Sequence, residues 1–135
     1  MGKIKIHEFD PDIYPMTLWV CLEAKHEELK EVFEVTPEET ELKDAVEKNA
    51  ATTCTVIRRS DNKHGVLVFT KKKQHMETHI IAHESVHVAD AFFQRLSMMS
   101  QVFTDGNEPY AYLGGWAAKC INNAIKYKPN LPIKK

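Results

Sequence analysis

Five consecutive residues, His83-Glu84-Ser85-Val86-His87, carry the pattern H-E-x-x-H. On an α-helix, positions i and i+4 lie one above the other, so both imidazoles reach the same metal ion. Glu84, beside the first histidine, reaches a water bound to that ion. The chemistry is metal-assisted hydrolysis. Two nitrogen ligands hold the cation, and a carboxylate takes the proton of the attacking water. Two imidazoles and a carboxylate suit Zn2+ best; iron, nickel and manganese accept the same set.

The element that must position these groups surrounds them. Residues 74–99 contain neither Gly nor Pro, and apolar residues fall on nearly every side: Ile80, Ile81, Val86, Val88, Phe92 and Phe93 among them. That composition predicts a buried central helix. Buried histidines and a buried glutamate need partners, and one metal ion would satisfy all three. His75 and His79 extend the i,i+4 ladder toward the N-terminus, but they are expected in exposed first turns and not as ligands.

A catalytic zinc ordinarily takes three protein ligands and keeps one position for water. The extension H-E-x-x-H-x-x-G-x-x-H is excluded, because Asp90 and Phe93 stand where Gly and His are required. Three carboxylates compete for the third place: Glu108, Asp90 one turn beyond His87, and Asp105 in the intervening loop. Residues 108–126 read as the next helix. Asn107 suits its N-cap and Pro109 its first turn, where a missing N–H costs nothing. Ala111, Gly114, Gly115, Ala117 and Ala118 are small enough to let that helix approach the histidines.

With His83, Glu84, His87 and Glu108 in this order, the chain resembles the gluzincins, the thermolysin-like zinc peptidases. The resemblance spans residues 83–112, under a quarter of the chain. It implies an α+β, zincin-like fold, with a small, mostly antiparallel sheet packed on the H-E-x-x-H helix and a ligand-bearing helix after it. It implies His83, His87 and Glu108 as zinc ligands and Glu84 as general base. The family usually carries an Asp four residues after its ligand Glu; here that position is Tyr112. Tyr110 or Tyr112, within a turn of Glu108, is the candidate to steady the oxyanion. The expected activity is zinc-dependent hydrolysis of a peptide bond. The alternative is a metal-binding regulatory or partner-binding protein of the same fold without turnover. A non-peptidase hydrolase using the same ion ranks third.

Composition bounds the rest. At 135 residues, residues 1–135 form one domain, and an apolar fraction of 43% supports a core. A formal net charge of −1 gives no pull toward nucleic acid or an anionic membrane. No apolar run has transmembrane length, and residues 1–10 lack a signal-peptide core. Cys21, Cys54 and Cys120 are odd in number and far apart, which fits buried thiols in a reducing, cytoplasmic setting.

Along the chain, residues 3–9 and 16–22 read as strands and residues 23–35 as a helix. Thr36-Pro37-Glu38-Glu39 is a capping box opening a second helix that ends near Asn49. Residues 52–59 and 65–70 flank a polar turn and read as a hairpin. By the zincin resemblance, residues 66–70 would be the cleft's edge strand, pairing with an extended peptide or protein substrate through its backbone. So small a domain leaves little room for a second lobe, so a homo-oligomer or a partner chain is expected to complete the cleft.

Overall fold

Two strands are apolar without alternation, and they form the middle of the sheet. The computed structural model describes residues 4–35 and 51–127. Over these the protein is α+β. Strands β1 (Ile6–Phe9), β2 (Thr17–Leu22), β3 (Phe33–Val35), β4 (Ala51–Arg58) and β5 (Lys63–Thr70) form one mixed sheet. Helices α1 (His26–Val32), α2 (Thr78–Arg95) and α3 (Glu108–Lys126) cover it. The strand order is β1-β2-β5-β4-β3. Only the β2–β5 pairing is parallel, so the sheet is mostly antiparallel.

Side chains alternate between the faces of a strand, so β2 and β5 feed two cores. Leu18, Val20, Val66 and Val68 point to one face and pack with Val88, Ala89 and Phe92 of α2 and with Leu113, Ala117 and Ile121 of α3. Trp19, Cys21, Leu67 and Phe69 point to the other and pack with Leu29 of α1 and with Phe33. Strands buried on both faces read as continuous apolar runs. Trp19 keeps its indole N–H satisfied by donating to Glu8 Oε1 at 3.1 Å. Gly65 is needed where β5 crosses Trp19: a Cβ there would run into the Trp19 ring and the Thr17 carbonyl oxygen.

Four expectations change. The helix expected over residues 23–35 stops at Val32, and Phe33–Val35 turn extended to pair with Val56, Ile57 and Arg58 of β4. Phe33 is fully buried there, and burying it against the sheet outweighs a further helical turn. The histidine helix, read within residues 74–99, is shorter and runs from Thr78 to Arg95. Strand residues 66–70 are not an edge: β5 pairs with β2 on one side and β4 on the other, so its backbone is spent within the sheet. The histidine helix is not buried all round. Glu84, Ser85, Val88, Ala89, Phe92 and Phe93 form its covered stripe, while Val86 is 50% exposed.

The hairpin forms as expected, with Asn62 in the left-handed region (φ 59) that Asn tolerates. Cys21, Cys54 and Cys120 are free and buried. Burial pushes the Cys21 and Cys120 thiols up to about 12, which makes them inert core residues. No helix among the described residues is long and apolar enough to cross a membrane. The predicted helix between residues 37 and 49 and the tail from Lys128 lie outside the described residues.

Candidate functional site

Helical periodicity sorts α2 into two neighbouring stripes. The buried one anchors the helix. Beside it run His83, His87, Asp90 and Gln94, spaced i, i+4, i+7 and i+11. Opposite lies the first half of β4, residues 51–54. Between them opens a cleft of about 490 Å³ lined from both sides, with Glu84 at its base. Alternation explains which β4 residue faces α2. Cys54 and Val56 belong to the α1-side core. Ala51 and, in step with it, Thr53 therefore face the other way.

The two imidazoles converge. His83 Nε2 and His87 Nε2 lie 3.1 Å apart, with ring centroids at 4.7 Å. Nitrogens at about 2.0–2.1 Å from one zinc ion, with that separation, would subtend an angle of about 100°, close to tetrahedral. The pair therefore fits a single metal ion. His83 is well exposed, at 63% for its side chain, so the pair sits at the cleft's mouth. The expectation of buried ligands is corrected: the glutamate is buried and the histidines are not.

Glu84 is 4% exposed. Its two oxygens divide: Oε1 accepts a hydrogen bond from Thr53 Oγ1 at 2.6 Å, and Oε2 lies 3.9 Å from His83 Nε2. Thr53 was not among the residues singled out in the sequence. The alternation of β4 put it on the correct face; nothing in the sequence supplied its register against α2. Below Glu84, Ser85 donates to the Ile81 carbonyl at 2.6 Å and so satisfies its own buried hydroxyl.

The remaining candidates divide as well. Asp90 lines the cleft. Tyr110 donates its hydroxyl to Asp90 Oδ1 at 2.7 Å, and its ring meets Phe93 edge-on at 5.3 Å. That bond ties the first turn of α3 to the flank of α2 that carries His87. Glu108 is the first residue of that turn, as Asn107 and Pro109 foretold, and it is exposed. It is not among the residues lining the cleft, nor is Tyr112, which is 74% exposed and borders a separate apolar groove with Ile13 and Trp116. Among the described residues no group of three His, Cys, Asp or Glu side chains is gathered closely enough to hold a metal. Of the three expected ligands, His83 and His87 are brought together and Glu108 lies outside the cleft lining. Gly114 and Gly115 do not serve close approach, since a Cβ at either would meet nothing within 4 Å. His75 falls in the short 3₁₀ turn before α2, and His79 is exposed in its first turn.

The Tyr110–Asp90 bond has a measurable signature. Burial, then the hydrogen bond to Asp90 and that residue's charge, push the Tyr110 phenol up to about 12. The folded protein therefore holds this proton above the ordinary tyrosine range of about 10. The stability it contributes is complete below about pH 10 and is lost as the pH rises toward 12. Ultraviolet titration should show one of the four tyrosines ionising last, and Asp90→Asn should bring that midpoint down. An unchanged titration in Asp90→Asn would contradict the bond.

Comparison with protein-family models, with curated proteins and with solved structures returns no match for this chain.

Proposed function

We propose that the protein is a metal-dependent hydrolase, a zinc peptidase of gluzincin type, with His83 and His87 as nitrogen ligands and Glu84 as general base. One observation carries the reading: two imidazole Nε2 atoms 3.1 Å apart stand over a cleft whose base is a buried carboxylate. A buried, hydrogen-bonded glutamate beside two open imidazoles is costly for a fold that does not use it. A bound zinc ion would lower the pKa of a coordinated water and polarise the scissile carbonyl.

The chain's own residues do the rest. Glu84 Oε2, on the side of the histidines, takes a proton from water and returns it to the leaving amine. Glu84 Oε1 is held by Thr53. The wall of β4 and the stripe from His87 to Gln94 bound the space for an extended peptide. Tyr110 is engaged by Asp90 and so serves to dock α3; Tyr112 lies on a separate groove, so neither tyrosine is assigned the oxyanion.

Glu108 is proposed as the third ligand on the resemblance, supported by its place in the turn that Tyr110 fastens to α2. Asp90 is the rival, supported by its place in the cleft. Zinc affinity measured by competition with a chromophoric chelator separates them. Loss of a ligand should weaken binding by at least about 10²-fold, and the uninvolved variant should stay within about tenfold of the parent. We expect Glu108→Ala to show the loss and Asp90→Ala the mild effect; the reverse order would transfer the role to Asp90.

A second reading, a metal-binding regulatory protein without turnover, is favoured by the exposure of His83. An ion held there would be open to a partner chain or a second copy. Turnover by the purified, zinc-loaded protein on a casein or mixed-peptide substrate would reject it.

A further inference from the structure

We propose that Thr53 is a positioning residue for Glu84, holding the carboxylate from the sheet so that one oxygen faces the histidines. The inference rests on the reading of Glu84 as general base. Thr53 and Glu84 are far apart in sequence and belong to different elements, yet the hydroxyl donates to Oε1 at 2.6 Å, a short bond of the kind an ionised acceptor makes. With Oε1 engaged, the carboxylate plane is fixed, and Oε2 is the oxygen turned toward His83. A glutamate has several rotatable bonds and, on a helix, could sweep away from the cleft. Threonine is suited to restrain it, because its branched Cβ is stiff about χ1 and β4 is paired with β5 along its whole length. Thr53 lies in the wall of the cleft, and its part is to act through Glu84, keeping the base aimed.

Thr53→Val preserves shape and removes the donor. Thr53→Ser keeps the donor and loses the methyl. Thr53→Ala covers the case in which valine disturbs the strand. In zinc-loaded protein on a peptide substrate, Thr53→Val and Thr53→Ala should lower kcat by about 10- to 100-fold, with KM within about twofold of the parent. Thr53→Ser should recover most of the loss. In the Glu84→Gln background Thr53→Val should cost little more, since the two act as a unit. Crystal structures supply a readout independent of turnover: Glu84 should be rotated or split in Thr53→Val and restored in Thr53→Ser. Full kcat in Thr53→Val, a loss confined to KM, an equal loss in Thr53→Ser, or an unmoved Glu84 would each overturn the proposal. If Glu84→Gln itself keeps parental turnover, or the parent has none, it is the hydrolase reading that falls; if Glu84→Gln is inactive and Thr53→Val is not, only Thr53's role falls.

Discussion

Glu84→Gln is expected to lower peptide turnover by about 10²–10⁴-fold while leaving metal content unchanged. The substitution keeps length and volume. The glutamine carbonyl oxygen can still accept the bond that Thr53 donates to Oε1, so the buried site stays satisfied. What is lost is the ability to take a proton. Because Glu84 is buried and sits beside rather than between the imidazoles, the His83–His87 pair should be undisturbed. Stability should remain within about 1 kcal/mol of the parent, the size of one hydrogen bond's net contribution. Circular dichroism melting, zinc stoichiometry and initial rates on the same preparation check all three. Parental rates in Glu84→Gln would remove the general-base role.

His87→Ala should act in the opposite order: metal is lost first, and activity with it. The His87 side chain is exposed, and its polar contact is with His83. In metal-free protein, its removal should therefore change stability by no more than about 0.5 kcal/mol. In the presence of zinc the difference should be large. An ion that binds only the folded form at about 100 times its dissociation constant stabilises by about 2.7 kcal/mol, and the variant should gain almost none of it. The measurement is the melting temperature of parent and variant with chelator and with excess zinc. A variant that gains as much as the parent would show that His87 is not a ligand.

The elements of the site were readable in the sequence because they depend on local periodicity. The presence of α2, the start of α3 at Glu108 and the β4–β5 hairpin all follow from patterns within a few residues. The placement of Cys21 and Cys120 in the core followed from residue type. What was not readable depended on partners distant in sequence. Residues 66–70 look the same as an edge or an interior strand until β2 pairs in parallel with β5. The apolar residues around α2 suggested burial on every side, but Val86 and Ala82 face outward, because the sheet and α3 cover only one side. Phe33 had helical spacing with Leu29, and only the sheet edge offered by β4 draws it into a strand. Thr53's bond to Glu84 needed the register between strand and helix, which no local pattern encodes. The place of Glu108 relative to the cleft is of the same kind: its position in the helix was local information, and where that helix lies against α2 was not.

His83 and His87 together are proposed to hold one catalytic metal ion. The most direct test is the metal content of the purified protein, by inductively coupled plasma mass spectrometry after dialysis against zinc and then buffer, for the parent, His83→Ala and His87→Ala. One zinc per chain is expected in the parent and close to none in either variant. A parent without bound metal, or variants that retain a full equivalent, would contradict it.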